Sequence, residues 1–238
     1  EGEDFSDYNF TFVKKGKWGV VNRKGEIVLP FVYEKPRYGD YDDFLRPVVK
    51  NNKHGLVNTK TGVETIACVY DKRLEFREEI YINDVMQILA IKNKKAGVID
   101  SIGTVLIPFV YDATESPFEV LEIGLIATSQ NKKAGMLDRD GNVVVPFQYD
   151  KVYPYLEMDT MLFDVQRGGK YGLYAREKKA ELVPTIYDDR IFFEDNGFAI
   201  VSRKKKYGAV DHSGKEVVPC TLTLTQVMDE LDKLPTNN

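Results

Sequence analysis

Histidine and cysteine are nearly missing from this chain: two of each occur in 238 residues. So few nitrogen and sulfur ligands exclude a Cys/His metal centre as an expectation, and no cofactor is expected either. No run of eighteen apolar residues occurs, which excludes a membrane-spanning helix. An excess of positive charge is also lacking, because 33 Lys and Arg face 37 Asp and Glu for a formal net charge of -4. Without a global positive field to gather phosphate backbones, nucleic acid is not an expected partner. No Walker phosphate loop, dinucleotide fingerprint or HExxH zinc motif is present. Residues 1 to 15 lack the basic segment and apolar core of a signal peptide.

What the chain has is a period. Lys-x-Gly followed by two apolar residues occurs as Lys17-Trp18-Gly19-Val20-Val21, Lys53-His54-Gly55-Leu56-Val57 and Lys95-Ala96-Gly97-Val98-Ile99. It returns as Lys133-Ala134-Gly135-Met136-Leu137, Lys170-Tyr171-Gly172-Leu173-Tyr174 and Lys206-Tyr207-Gly208-Ala209-Val210. The glycines stand 36, 42, 38, 37 and 36 residues apart. A unit of about 37 residues therefore repeats six times, and 1–238 reads as a single repeat domain.

Each phrase runs into a turn signal, at Asn22 to Gly25, Asn58 to Gly62, Asp100 to Gly103, Asp138 to Gly141 and Asp211 to Gly214. Asp or Asn at the first corner accepts from its own downstream backbone, and Gly at the last tolerates positive φ. The fifth copy has Ala175 to Ala180 instead, which predicts a longer or irregular turn. An apolar run then leads to Pro30, Pro108, Pro146, Pro184 and Pro219, with Ala67 in the second copy. Lacking an N–H, the proline is expected to end the strand pairing. Five copies continue into a Tyr-acid pair: Tyr33-Glu34, Tyr70-Asp71, Tyr111-Asp112, Tyr149-Asp150 and Tyr187-Asp188. With a further apolar run upstream of each phrase, every unit reads as a three-stranded meander joined to the next by a linker.

Consecutive apolar residues such as Val20-Val21 face opposite sides of a sheet, so both faces need cover from neighbouring repeats. Glycine at the strand centre in all six copies (Gly19, Gly55, Gly97, Gly135, Gly172, Gly208) predicts a close approach, with the Tyr of the Tyr-acid pair as the expected neighbour. The expectation is all-β: six tandem three-stranded meanders stacked in an open superhelical, solenoid-like array. Propeller blades usually need four strands and a longer repeat, so a closed six-bladed propeller-like ring is the alternative. Val227, Met228, Leu231 and Leu234 recur at helical spacing before Pro235, predicting a capping helix over 225–234. Phe5, Tyr8 and Phe10 are candidates to cover the other end.

In order, these elements resemble the WG-repeat family, named for the Trp-Gly pair that stands here at Trp18-Gly19. The resemblance runs from about residue 10 to 220, although the Trp position holds His54, Ala96, Ala134, Tyr171 and Tyr207 in the other copies. It implies a bacterial repeat protein, many of which are exported or surface-associated, with no general enzymatic activity and no catalytic residues to carry over. A start at Glu1 fits an engineered or processed chain, and an exported or cell-surface location with an upstream signal removed is the expectation.

Candidate chemistry is sparse. His54 occupies the Trp position and His212 lies inside a turn; Asp211-His212-Ser213 are too close in a tight turn to converge as a triad. Cys68 and Cys220 occupy the position of Phe31, Phe109 and Phe147, and they lie four repeats apart. A disulfide spans only about 7 Å between Cα atoms, so two free, packed thiols are expected. The pairs Asp42-Asp43, Asp188-Asp189 and Glu194-Asp195 sit in linkers and read as solvated charge. The recurring lysines share a rim with the Tyr-acid carboxylates, which are expected to neutralise them. Linkers vary while the scaffold repeats, so Arg37, Tyr38, Tyr41, Tyr153 and Tyr155 are the binding candidates. The expected function is a non-catalytic binding scaffold for a protein or a cell-surface glycan. The alternatives are a propeller-type enzyme, a fragment of a larger catalytic protein, or a purely structural spacer.

Overall fold

The computed structural model describes residues 10–34, 44–72, 74–82, 85–121, 123–155 and 162–235. Arg37, Tyr38, Tyr41, the Asp42-Asp43 pair, Phe5 and Tyr8 lie outside the described residues. Among the described residues each repeat forms one antiparallel sheet. The first holds β1 (Phe10–Lys14), β2 (Lys17–Val21) and β3 (Ile27–Tyr33), and the second β4 (Leu45–Lys50), β5 (Lys53–Asn58) and β6 (Glu64–Tyr70). The third holds β7 (Glu75–Ile82), β8 (Val85–Lys92), β9 (Lys95–Ile99) and β10 (Val105–Asp112). The fourth holds β11 (Phe118–Val120), β12 (Ile126–Gln130), β13 (Lys133–Leu137) and β14 (Val143–Tyr149). The fifth holds β15 (Lys151–Pro154), β16 (Leu162–Arg167), β17 (Lys170–Ala175) and β18 (Ala180–Tyr187). The sixth holds β19 (Phe198–Arg203), β20 (Lys206–Asp211) and β21 (Glu216–Leu222), followed by α1 (Leu224–Leu231).

Every sheet contains the expected meander, but three are wider than expected, because β7, β11 and β15 add a fourth strand made from linker. The outer edge of a meander is a row of unpaired N–H and C=O groups, and a linker lying along it satisfies both backbones. The chain separates into two compact units, Glu1–Pro117 with Arg139–Gly141, and Phe118–Asp138 with Asn142–Asn238.

One irregularity recurs in all six sheets. Trp18 pairs with Tyr33 and Val20 with Leu29, so Pro30, Phe31 and Val32 together stand opposite Gly19. The same three-against-one bulge faces Gly55, Gly97, Gly135, Gly172 and Gly208. Proline therefore does not end the pairing, contrary to expectation; the strand continues to the tyrosine, and proline sits where no ladder donor is required. The bulge folds its middle residue over the glycine. A Cβ on Gly135 would lie 2.6 Å from the Phe147 ring and 2.7 Å from the Val145 carbonyl oxygen. At the equivalent place Phe31, Cys68, Phe109, Thr185 and Cys220 crowd the other five glycines. The glycine's neighbour is thus the bulge of its own sheet, not the tyrosine that was expected.

The tyrosine packs toward the following sheet instead. In the first unit Val20, Leu29 and Tyr33 cluster with Val48 and Val57, and Leu56, Ile66 and Tyr70 with Ile88, Ala90 and Ile99. In the second, Met136, Val145 and Tyr149 meet Phe163, Val165 and Tyr174, while Leu173, Val183 and Tyr187 meet Ala199, Val201 and Val210. Within each unit Val20, Leu56, Met136 and Leu173 thus face the following sheet, whereas Val57, Ile99, Tyr174 and Val210 face the preceding one. Each large side chain buried this way contributes about 1.5–3 kcal/mol.

After the sixth sheet the chain runs into α1, which packs on one face of that sheet. Val227 and Leu231 pack on Phe198, Ala209 and Val218; Ala209 and Val218 are the counterparts of Leu173 and Val183. Thr223 caps the helix, accepting from the Gln226 N–H at 3.4 Å while its own N–H donates to Gln226 Oε1 at 3.0 Å. This reciprocal capping box satisfies two orphan donors at the start of a short helix.

The turns follow the predicted chemistry. Asn22 Oδ1 accepts from the Lys24 and Glu26 N–H groups at 3.0 and 2.9 Å, and Asp100 Oδ1 from Ile102 and Thr104 at 3.0 and 2.7 Å. The fifth turn differs from the others but is shorter, not longer, since pairing extends to Ala175 and Ala180. The hairpins leading into each Lys-x-Gly strand have two corner residues with positive φ, which suits Asn-Gly best. Lys204 and Lys205 adopt φ 52° and 61° there. A left-handed L-residue costs about 1 kcal/mol or more. Replacing both, as Lys204→Asn with Lys205→Gly, is expected to raise the melting temperature by about 2–4 °C in a circular-dichroism melt; an unchanged or lower value would contradict the strain.

Candidate functional site

Four of the six recurring lysines are spent locally. Lys53 Nζ lies 2.5 Å from Asp71, Lys95 2.9 Å from Asp112 and Lys133 2.6 Å from Asp150, and Lys170 pairs with Asp188. The second carboxylate oxygen accepts from the next hairpin, with Lys94 N–H donating to Asp71 at 2.7 Å and Gly168 N–H to Asp150 at 2.7 Å. The Tyr-acid pair is therefore a clamp between consecutive sheets. Tyr33 Oη donates to Glu64 at 2.8 Å and Tyr149 Oη to Glu181 at 3.1 Å, both in the following sheet. Lys50 and Arg167 donate to the same carboxylates at 2.8 Å and lie 5.5 Å above the two tyrosine rings. Burial, with Glu181 adding to it, pushes the Tyr149 hydroxyl up to about 12.

Asp71, Asp150 and Asp188 are held below the usual carboxylate range, chiefly by their lysines. Burial opposes ionisation of Glu64, but hydrogen bonds from Lys50 and Tyr33 leave it lowered as well. For such groups the unfolded chain binds more protons, so their stabilisation is present above the ordinary carboxylate pKa, near about 4, and is lost as pH falls through the lowered folded values. The melting temperature is expected to hold steady from about pH 8 to pH 5 and to fall steeply below about pH 4. A profile that stays level into strong acid would show that these clamps contribute nothing.

A different arrangement occupies the second unit. Tyr153 on the edge strand β15 stands opposite Asp164 of β16, whose residue is 2% exposed. Arg190, in the linker after β18, donates from Nε to Asp164 Oδ2. Its guanidinium carbon lies 5.3 Å from the Tyr153 ring centre and 5.6 Å from that of Phe192. Tyr153, Phe192 and the Arg190 side chain are each close to half exposed, at 47%, 48% and 45%. Burial pushes the Asp164 carboxyl up and Arg190 pulls it back, leaving it raised. Its Oδ1 accepts no hydrogen bond among the described residues. Arg190 is thus fixed at one nitrogen and flanked by two rings, while Nη1 and Nη2 make no hydrogen bond among the described residues.

The edge of β15 is itself blunted. Tyr155 N–H donates to Leu162 O, so odd-numbered residues face β16 and even-numbered ones point outward. Pro154 on that outer side has no donor, which disfavours addition of another strand.

Of the sequence candidates, the structure places Tyr153 in this patch. Tyr155 leaves the set: it is 5% exposed, packs with Leu173 and Ile191, and its Oη accepts from the Phe193 N–H at 2.9 Å. Tyr155 stands two residues beyond Tyr153, on the same side of an extended chain, and it is buried because Ile191, Phe192 and Phe193 of the linker after β18 pack against it. Arg190, Phe192 and Asp164 were missed. The only signal was the run Arg190-Ile191-Phe192-Phe193, which alternates exposed and packed residues inside a linker. Elsewhere, His212 stacks on Phe193 at 4.3 Å, and Ser213 Oγ donates to Asp211 at 2.6 Å, away from any relay through histidine. Cys68 and Cys220 are free; burial pushes the Cys68 thiol up to about 11. Among the described residues no group of three His, Cys, Asp or Glu side chains is arranged to hold a metal ion, and no helix is long and apolar enough to cross a membrane.

The family model described as "WG containing repeat" matches residues 18–53, 97–133 and 135–171. No curated protein matches the chain. Among solved structures it is similar to a eukaryotic initiation factor, with 12% identity and a TM-score of 0.34 over 88% of this chain and 62% of that one. It is also similar to a protein of unknown function from Bacteroides caccae, with 12% identity and a TM-score of 0.25 over 88% and 91%. Kluyveromyces lactis Hsv2 gives 8% identity and a TM-score of 0.29 over 87% and 71%. The chain is therefore an all-β tandem-repeat protein carrying WG containing repeats.

Proposed function

We propose that this protein is a non-catalytic recognition scaffold, an open solenoid-like array that presents linker side chains to a protein or glycan partner. The observation that carries this reading is the contrast between repeat and linker. Lysines in four of the repeats are neutralised within the sheets, whereas linker residues Tyr153, Arg190 and Phe192 form an exposed aromatic and cationic group. Aromatic rings and arginine are the side chains that carry most binding energy in protein interfaces. Support for an open array comes from α1, which covers the face of the sixth sheet that a seventh repeat, or a first repeat in a ring, would otherwise cover.

The test is affinity capture from source-cell extract and binding to a glycan array, comparing the native chain with Tyr153→Ala/Phe192→Ala. Capture or array binding is expected to drop by at least about tenfold with the fold intact. A profile identical to that of the native chain would overturn the reading.

A further inference from the structure

We infer that the Arg190 patch is a docking site for a carboxylate on an acidic segment of a partner protein. This inference rests on the recognition reading above and names the chemistry of one of its sites.

A guanidinium carries five N–H donors in a rigid fork that matches a carboxylate with two parallel bonds. Here one donor, Nε, is tied to Asp164 Oδ2. Tyr153 and Phe192 stand at 5.3 and 5.6 Å from the guanidinium carbon. The side chain is therefore oriented before any partner arrives, and the usual rotamer-entropy loss of an arginine on binding is already met within the fold. Neither Nη group is used among the described residues, and 45% of the side chain is exposed.

Asp164 offsets the charge of Arg190, as Asp71 and Asp150 offset their lysines, but it occupies only Nε and leaves the Nη groups open. It is buried beneath the guanidinium, its remaining oxygen is enclosed, and its carboxyl is raised by burial. It therefore works as an anchor for Nε, not as a competitor for the outer Nη groups. The exposed rings lower the local dielectric around the pair that a carboxylate would form, which strengthens it over an open-surface ion pair. A protein segment is favoured over an acidic sugar because the patch offers a single fork and two ring faces. Recognising a sugar's hydroxyls needs several directional donors and acceptors, and the free oxygen of Asp164 is enclosed where no hydroxyl reaches it.

The probe is a fluorescein-labelled oligoglutamate peptide, followed by fluorescence anisotropy with the full chain. Arg190→Gln and Arg190→Lys are each expected to weaken binding by about tenfold, the lysine because it lacks the fork. Tyr153→Ala/Phe192→Ala is expected to weaken it similarly, while Lys204→Gln/Lys205→Gln leaves it unchanged. Because Arg190→Gln leaves Asp164 buried without its cation, Asp164→Asn/Arg190→Gln serves as a second variant in which no charge is stranded, and it must also lose binding. Peptide binding that survives both Arg190→Gln variants, or that depends on Lys204 and Lys205, overturns the inference. So does the absence of peptide binding, or binding of polygalacturonate in its place. Partner capture that is lost in Tyr153→Ala/Phe192→Ala without any oligoglutamate binding would leave the recognition reading standing and remove only its carboxylate chemistry.

Discussion

Gly172→Ala is expected to destabilise the second unit by about 3 kcal/mol, lowering its melting temperature by about 6–12 °C. A Cβ there would lie 2.6 Å from the Val183 carbonyl oxygen and 2.8 Å from both the backbone nitrogen and the Cα of Thr185. All three obstacles are main chain in the bulge, so no side-chain rotation relieves the overlap. The strand would have to part from its partner, or the bulge would have to open, and either response disturbs the pairs on both sides of it. Gly16→Ala is the control: it also replaces a glycine in this scaffold, but a Cβ there meets nothing within 4 Å. Its cost is the left-handed backbone alone, about 1 kcal/mol. Circular dichroism is the measurement to use, since Trp18 is the single tryptophan and its fluorescence reports on the first unit. Equal effects from the two substitutions would show that the bulge is not a close-packed element.

The second large effect is expected at the helix. Val227 is fully buried against the sixth sheet and Leu231 nearly so. Val227→Asp places a charge among the apolar side chains of Phe198, Ala209 and Val218, and an isolated buried charge is far more costly than a lost methyl group. The helix is expected to detach, exposing Phe198, Ala209 and Val218, a face built to receive another sheet. Self-association should follow, seen as a concentration-dependent increase in mass by light scattering, together with a melting temperature reduced by about 5 °C or more. A variant that stays monodisperse and melts with the native chain would mean that the helix covers nothing the array needs, and the argument for an open end would go with it.

Period, strand assignment, turn positions and the C-terminal helix were legible because each rests on neighbours within a few residues. Alternation of apolar side chains, Asn or Asp at a turn corner, and Val227 with Leu231 at helical spacing all act over one or two turns of chain. The bulge was not legible in the same way. Proline was read correctly as a residue without a donor, but whether a strand stops or loops outward at that point depends on what the facing strand offers. The glycine opposite makes the outward loop possible by leaving space for Phe31, Phe147 or Thr185. Glycine and proline were both visible in the sequence, yet their pairing in one device required the register.

The same division holds for the candidate site. By itself the sequence determined that six similar sheets form in chain order and that both faces of each are apolar. Only the tertiary structure decided which linker residues meet: Tyr153 and Asp164 face each other across a strand pair, and Arg190 comes to both from a linker beyond the next two strands. Repeating positions are dictated by backbone pairing that every copy shares, so their contacts can be inferred from the period. Linker contacts arise once in the chain, from the way particular side chains fill the space that the packed sheets leave, and no local pattern encodes that space.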